Sequence, residues 1–202
     1  MKDQEIIKLA KNTIELEAKG LLNLVDLIDN NFLHASRLLL ECKGHVLVSG
    51  SGTSHAVARR LAHLLSVCGT PSLLLDAGDS PHGLSGAITK NDVVIAISKG
   101  GTTRDVYFLA SVAKKRGAEL IAITEKTESP LGKIADIVLG FNSPVEGDPF
   151  GMIATGSSLM SCALGDALCV VLLKIRNYTI EQFGENHPGG AVGKKLNEME
   201  II

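Results

Sequence analysis

Two glycine-rich turns contain the residue types that could bind an anion. They are Ser49-Gly-Ser-Gly-Thr-Ser54 and Ser98-Lys-Gly-Gly-Thr-Thr103, and each follows an apolar run and precedes a predicted helix. Glycine lets the backbone approach a guest, helix-start N–H groups point towards it, and hydroxyls donate further hydrogen bonds. This pattern indicates phosphate binding. Either turn alone is explained equally well as an ordinary helix cap and turn.

A dinucleotide site is a competing explanation for the first turn. Gly50-Ser-Gly52 supplies the first two glycines of a GxGxxG motif, and Asp76 ends an apolar run where a ribose-binding acid could lie. However, His55 stands where the third glycine is needed for close packing of the helix. The sequence also has no GxxxxGK[S/T] loop. Both motifs of nucleotide phosphate binding are therefore incomplete or missing.

The elements that position the turns alternate between strands and helices. Short, continuous apolar runs are typical of strands buried on both faces of a parallel sheet, and apolar residues at intervals of three and four predict helices. Between residues 142 and 151 the prolines and glycines indicate a loop, and after Asn177 we expect a polar tail. The predicted strands are residues 45–49, 72–75, 92–97, 119–123 and 136–139, and the predicted helices are residues 5–28, 32–42, 55–68, 103–115, a short one near Leu131, and 156–175.

This alternation predicts an α/β fold, a three-layer α-β-α sandwich of flavodoxin-like type with N-terminal helices. Five parallel strands in the order 2-1-3-4-5 would place both turns at the crevice between strands one and three, where such sheets bind ligands. The chain of 202 residues suits one domain. We expect that domain to span residues 1–202, with residues 1–43 as a helical extension packed on it.

Composition excludes several classes of function. Apolar residues make up 45% and charged residues 21%, which favours a packed core over disorder. The formal net charge of −2 argues against nucleic acid or an anionic membrane as the main partner. No apolar run approaches the ~18–20 residues that span a bilayer, and the N-terminus lacks signal-peptide features, so we expect a cytoplasmic protein.

The cysteines and two of the histidines point to structural positions. The four cysteines lie in apolar helical stretches without CxxC spacing, so we expect buried free thiols: Cys42, Cys68, Cys162 and Cys169. His34 and His63 fall within predicted helices, where we expect satisfied structural residues. No cluster has the spacing of metal ligands, so the sequence predicts neither a metal nor a cofactor.

Five motifs carry a more specific resemblance. They are Val-Ser-Gly-Ser-Gly-Thr-Ser54, His82-Gly, Asn91-Asp-Val-Val-Ile-Ala-Ile-Ser98, Leu164-Gly-Asp-Ala-Leu168 and His187-Pro-Gly-Gly-Ala-Val-Gly-Lys-Lys-Leu196. Together they resemble the sugar isomerase (SIS) domain and are similar to bacterial arabinose-5-phosphate isomerases, with the last motif the most discriminating. The resemblance implies a phosphosugar ligand whose phosphate is bound by Ser51, Gly52, Thr53, Ser54, Ser98, Lys99, Gly101, Thr102 and Thr103.

The resemblance also implies four residues for proton transfer. Glu146 matches the family's proton-transfer base, although on residue type alone an exposed loop carboxylate is the better explanation. His187 matches a histidine for ring opening or carbonyl polarisation, and a histidine that ends a helix before proline explains it equally well. His82 matches an orienting or proton-shuttling histidine. Asp105 stands where the family has glutamate, and it could instead stabilise the dipole of its helix.

One departure concerns a positive charge in the first turn. Arabinose-5-phosphate isomerases have a lysine where this chain has Thr53, and the second turn also departs from the usual Asn-Ser-Gly-Glu-Ser. Losing a hydrogen-bonded charge could cost roughly 1.5–3 kcal/mol of ligand interaction. Lys99 in the second turn could replace part of it. The departures leave the identity of the sugar and the catalysis itself open.

Two functions therefore remain after the sequence analysis. The first is an aldose–ketose isomerase acting on a pentose 5-phosphate or a hexose 6-phosphate through an enediol(ate). The second is a phosphosugar-binding protein that senses its ligand without converting it, and an amino-sugar phosphate enzyme is a third. The resemblance further implies a homotetramer in which His187 reaches a neighbouring subunit. We expect a stand-alone domain without the CBS modules of longer family members, and no DNA-binding head.

Overall fold

A computed structural model describes residues 1–143 and 146–201 of the chain. Its centre is a sheet of five parallel strands in the order β2-β1-β3-β4-β5, which confirms the predicted order. The register places Val46 opposite both Ser72 and Val93. The strands are β1 (Val46–Gly50), β2 (Ser72–Leu74), β3 (Val93–Ile97), β4 (Glu119–Thr124) and β5 (Ile137–Gly140).

Helices cover both faces of the sheet, as predicted for a three-layer sandwich. Side chains of one core, such as Leu39, Leu65 and Met160, fill one face, and those of a second core, such as Leu109 and Leu131, fill the other. The helices are α1 (Asp3–Asn23), α2 (Asn30–Glu41), α3 (Thr53–Val67), α4 (Arg104–Lys115), α5 (Pro130–Ile134), α6 (Gly156–Arg176), α7 (Ile180–Asn186) and α8 (Gly190–Glu198). Thus α2, α3 and α6 lie on one face, and α4 and α5 lie on the other.

The N-terminal helices differ slightly from the prediction. The helix expected over residues 5–28 ends at Asn23 and is followed by a short 3₁₀ turn, Val25–Leu27. Asp29 then caps α2, because its carboxylate accepts hydrogen bonds from the N–H groups of Asn31 and Phe32 at 2.8 and 3.4 Å. This cap explains why the two helices are separate.

The polar tail expected after Asn177 is mostly exposed, but it is helical, because α7 and α8 occupy this region. Thr179 and Gln182 form a reciprocal capping box that starts α7. Leu196 of α8 is buried. Both helices are short and mostly exposed, and the apolar spacing of α8 is limited to Val192, Leu196 and Met199, which is too short a pattern to be decisive.

Some expectations about single residues also need correction. Cys68 and Cys169 are buried, and burial raises the pKa of Cys169 to about 12, whereas Cys42 and Cys162 are only half-buried. All four thiols are free. His34 and His63 are exposed, because both lie on the outer sides of their helices.

Helix α6 is long and apolar, although we expected no segment that could span a bilayer. By length and composition alone, residues Gly156–Arg176 could cross a membrane. One side of this helix packs into the core through Leu164, Leu168 and Leu172, which are at most 3% exposed. Burial against the sheet and α3 therefore accounts for much of its apolar character.

Candidate active site

The first turn connects the end of β1 to the start of α3. Gly52 has a φ of +58° and directly precedes Thr53, the first residue of the helix. At Gly50 a β-carbon would lie 2.5 Å from the carbonyl oxygen of Ser54, so only glycine fits there. Ser51 and Thr53 are exposed on the turn. The turn therefore folds tightly over the helix start and leaves its hydroxyls accessible.

The second turn connects β3 to α4 and is held by its own hydroxyl groups. The N–H of Gly101 donates to Ser98 Oγ at 3.1 Å, and Ser98 Oγ also lies 3.1 Å from Thr103 Oγ1. The carbonyl of Lys99 accepts from Thr124 Oγ1 at 3.1 Å and from the N–H of Glu125 at 3.0 Å. These bonds fix the backbone from which the Lys99 side chain extends.

The sheet brings the two turns together. Gly50 at the end of β1 pairs with Ile97 at the end of β3, so both turns leave the same edge from adjacent strands. A narrow cavity of about 20 Å³ lies between them. Its lining includes Thr53 and Ser54 from the first turn and Lys99 from the second. The rest of the lining comes from Val57, Ala154 and three serines of α6: Ser157, Ser158 and Ser161.

Glu146 lies at the N-terminus of α6, and its side chain is only 1% exposed. One carboxylate oxygen, Oε2, accepts from the N–H groups of Gly156 at 2.8 Å and Ser157 at 3.3 Å, and from Thr155 Oγ1 at 3.5 Å. The other, Oε1, accepts from Ser157 Oγ at 2.5 Å and from Lys99 Nζ at 2.6 Å. The loop carboxylate expected from residue type alone is therefore not exposed.

The surroundings of Glu146 stabilise its ionised form. Burial alone would raise the pKa of this carboxyl group, but the hydrogen bonds from Lys99 and Ser157 outweigh burial and lower it. The start of a helix adds a favourable dipole for an anion. In this arrangement Glu146 is a carboxylate at neutral pH, and it is a weak base while all of its donors remain in place.

His187 lies apart from the two turns. It follows the end of α7, where its ring stacks on Phe183 with a centroid distance of 5.0 Å. Within the described part of the chain, its buried Nδ1 atom has no hydrogen-bond partner. The described residues that line the turn cavity do not include it. Among the described residues, no hydrogen bond or ion pair joins His187 to Glu146.

His82 and Asp105 lie near the sheet edge but not in the turn cavity. His82 is exposed and ends a short 3₁₀ turn, Ser80–His82, in which Ser80 is buried. Asp105 is half-buried in the first turn of α4, where a carboxylate favours the helix dipole. Neither is among the described residues that line the cavity between the turns. Their predicted catalytic roles remain predictions.

Two residues at the site, Ser157 and His55, were not among the predicted site residues. Ser157 donates to Glu146, and only its position at the start of α6 could have indicated this. His55 lines a second cavity of about 330 Å³, which also includes Gly52 of the first turn. Its Nδ1 atom lies 3.7 Å from Asp76 Oδ2, and Asp76 is oriented by the N–H of Gly78 at 2.7 Å. The second cavity is large enough for part of a small ligand.

The fold and the paired turns define a class of protein. This is a doubly wound α/β domain with a polar site at the point where the strand order reverses. The family model for the SIS domain matches residues 39–171. The chain belongs to the SIS domain family.

Curated relatives of similar sequence are named arabinose 5-phosphate isomerases. The chain is 39% identical to arabinose 5-phosphate isomerase KdsD of Pseudomonas aeruginosa over 192 residues, which cover 95% of the chain and 59% of that relative. KdsD of Escherichia coli K12 is also 39% identical, over 92% of the chain and 57% of the relative. The chain thus spans about three fifths of the length of these curated relatives.

Solved structures agree with the fold. A protein from Listeria monocytogenes superimposes with a TM-score of 0.91 at 35% identity, covering 94% of this chain and all of the other. The c3406 protein of E. coli CFT073, solved in complex with arabinose 5-phosphate, superimposes with a TM-score of 0.89 at 31% identity and covers 93% of this chain and all of the other.

Proposed function

We propose that this protein interconverts arabinose 5-phosphate and ribulose 5-phosphate. The observation that carries the proposal is the buried Glu146 carboxylate, which lies beside Lys99 where the two hydroxyl-rich turns meet. An aldose–ketose isomerisation needs a base at two adjacent carbons, and a carboxylate fixed beside an anion site suits that need. The similarity to KdsD proteins and to a protein solved with arabinose 5-phosphate supports the same substrate class.

The two turns would bind the phosphate group. The first N–H groups of α3 and the exposed hydroxyls of the turns offer donors to a dianion, and Lys99 supplies a positive charge. This charge lies in the second turn, whereas Thr53 occupies the position at which the resemblance implies a lysine. The proposed phosphate ligands are Ser51, Gly52, Thr53, Ser54, Ser98, Lys99, Gly101, Thr102 and Thr103.

The reaction moves one proton between neighbouring carbons. Glu146 would accept the proton from C2 of the open-chain aldose, and the electron pair of that bond forms the C1–C2 double bond of an enediolate. The same carboxyl then returns the proton to C1, while the hydroxyl proton of O2 moves to O1 and C2 becomes the carbonyl. His187 would polarise the carbonyl, and His82 would transfer protons during ring opening. Asp105 would orient the sugar or supply a proton to it.

The proposal includes an assembly of several copies. His187 does not line the turn cavity of its own chain, and α1 exposes apolar side chains such as Ile6, Ile7 and Ile14, each more than half exposed. We infer a homotetramer in which His187 completes the site of a neighbouring subunit. We also infer that residues 1–202 form one domain, with residues 1–43 packed on it, and that the protein acts in the cytoplasm.

A sugar-phosphate panel tests the proposal. Arabinose 5-phosphate, ribulose 5-phosphate and several hexose 6-phosphates are each followed by NMR, and we expect turnover of the two pentose phosphates. Glu146→Gln removes the base and should lower kcat by roughly 10²–10⁴-fold. Lys114→Met is a matched control, because it removes a lysine that pairs with Asp136 away from the site. Absence of turnover across the whole panel would contradict the proposal.

The alternative is a phosphosugar-binding protein without catalysis. The lowered pKa of Glu146 favours it, because a carboxylate that keeps all its donors is a weak base. This alternative predicts that sugar phosphates, but not the free sugars, raise the melting temperature of the protein. It also predicts that Glu146→Gln binds the ligand as the wild type does, and that neither protein turns it over.

A further inference from the structure

The donors around Glu146 differ in their freedom to move. Two are N–H groups at the start of α6, and two are the short hydroxyl side chains of Thr155 and Ser157. The fifth is the ammonium group of Lys99, which ends a flexible side chain that is 40% exposed. Lys99 is therefore the donor that can leave without disturbing the helix.

The small size of the turn cavity favours such a movement when a phosphate binds there rather than in the second cavity beside His55. With Lys99 bound to Glu146, the space between the turns is about 20 Å³, which is far below the ~300 Å³ of a typical ligand pocket. Lys99 itself lines this space beside Thr53 and Ser54. A phosphate that enters between the turns therefore meets the Lys99 ammonium and competes with Glu146 for it.

Lys99 is also the charge that acts on Glu146. The second turn presents Lys99, and the start of α6 presents Thr155, Gly156 and Ser157, which carry no charge. Among the described residues, Lys99 is the one charged group that contributes to the lowered pKa of Glu146. Removing its ammonium would make the carboxylate a stronger base.

We propose that Lys99 is a positioning residue that binds the Glu146 carboxylate in the free protein and transfers its ammonium to the phosphate of the incoming sugar. This inference rests on the proposed isomerase function. Glu146 becomes an effective base only when a phosphorylated ligand occupies the turns. No further reactant is consumed, because the lysine stays protonated and only exchanges one oxygen anion for another.

NMR of the Glu146 carboxyl carbon tests the exchange directly. Glutamate is labelled with ¹³C at Cδ, the signal is assigned with Glu146→Gln, and its pH titration is followed in wild type and Lys99→Met. The probe is arabinitol 5-phosphate, a polyol phosphate that has no carbonyl and cannot isomerise. We expect the titration midpoint to move upward in Lys99→Met without ligand, and upward in wild type when the probe binds.

Kinetics provide a second readout that a merely structural role would not change. We expect Lys99→Met to lower kcat/KM for arabinose 5-phosphate roughly 10- to 100-fold through lost phosphate binding. The acid limb of kcat/KM, which reports the free protein, should move to higher pH, while the acid limb of kcat stays in place. Lys99→Arg keeps the charge and should resemble wild type, and Lys114→Met should show neither change.

The outcomes separate this inference from the proposed function. Midpoint shifts without any turnover in wild type would support the role of Lys99 and contradict the isomerase activity. Turnover with a midpoint that is the same in wild type and Lys99→Met would contradict the role of Lys99. The inference is also overturned if arabinitol 5-phosphate shifts the midpoint equally in both proteins.

Discussion

At the scale of the residue, Glu146 shows how a side chain gains its properties from a distant segment. Residue type and a loop rich in proline and glycine suggest an exposed acid. The chain instead returns after Asp148, whose carboxylate accepts from the N–H groups of Phe150, Met152 and Ile153, and α6 then starts against Glu146. No local pattern encodes this return, so the sequence could suggest the residue only through family resemblance.

A substitution of Ser157 tests the hydrogen bonds of Glu146. Ser157→Ala removes the hydroxyl that donates to Oε1, and we expect a loss of about 1–3 kcal/mol in the free energy of unfolding at pH 7. Because the pKa of folded Glu146 lies below its ordinary value of 4.5, this contribution is present above that value. The contribution should shrink as the pH falls through the lower pKa that Glu146 has in the folded protein.

The measurement is urea unfolding at several pH values from 7 down to about 2, so that the series passes below the ordinary pKa of glutamate. Ser158→Ala is the matched control, because its hydroxyl donates to the carbonyl of Thr155 and not to Glu146. We expect Ser158→Ala to show a smaller loss that does not depend on pH. A Ser157→Ala loss that is equal at every pH would contradict the assigned hydrogen bond to a carboxylate.

At the scale of the element, the sequence was most informative about the sheet. Strand β3 is buried at every position from Val93 to Ile97, and such a run can only lie between two layers of helices. The strand order then places the turns. Helices α7 and α8 show the opposite case, because each is short and has only one or two buried residues, and of the two only α7 has a side-chain cap.

The shape of the second turn depends on Gly101. Its φ is +63°, and a β-carbon there would overlap the side chain of Ser129. We expect Gly101→Ala to lower the free energy of unfolding by about 1–3 kcal/mol, because alanine strains the backbone at this φ. We also expect it to weaken binding of arabinitol 5-phosphate, because the second turn is displaced. Differential scanning calorimetry measures the first effect and isothermal titration calorimetry the second.

Gly100 offers a neighbouring control for this prediction. A β-carbon on Gly100 would make only an ordinary contact with Thr102 Oγ1 at 3.7 Å, and its φ is not in the left-handed region. We expect Gly100→Ala to remain close to wild type in stability and in binding. Equal effects of the two alanine substitutions would contradict the account of the turn.

At the scale of the whole molecule, the proposed contribution of His187 to a neighbouring site has a consequence for assembly. If each site takes Glu146 from one subunit and His187 from another, two inactive variants can complement each other. Glu146→Gln and His187→Ala are co-expressed with different tags, and mixed assemblies are isolated by both tags. We expect mixed assemblies to be more active than either variant alone, because some sites then contain both native residues.

The same experiment has a clear negative result. Mixed assemblies that are as inactive as the two parents would mean that Glu146 and His187 of the same chain serve one site, or that His187 is structural. Sedimentation velocity on the wild type gives the number of subunits independently. A tetramer is expected, and a monomer at micromolar concentration would contradict the shared site.

The central claim is that both turns hold one phosphate while Glu146 faces the reacting carbons. A crystal structure with arabinitol 5-phosphate tests it most directly. We expect phosphate oxygens within hydrogen-bond distance of hydroxyls from both turns, Lys99 Nζ on the phosphate, and a Glu146 oxygen about 3–3.5 Å from C1 or C2. A phosphate bound elsewhere, or a Glu146 carboxylate still paired with Lys99 and distant from these carbons, would contradict the account.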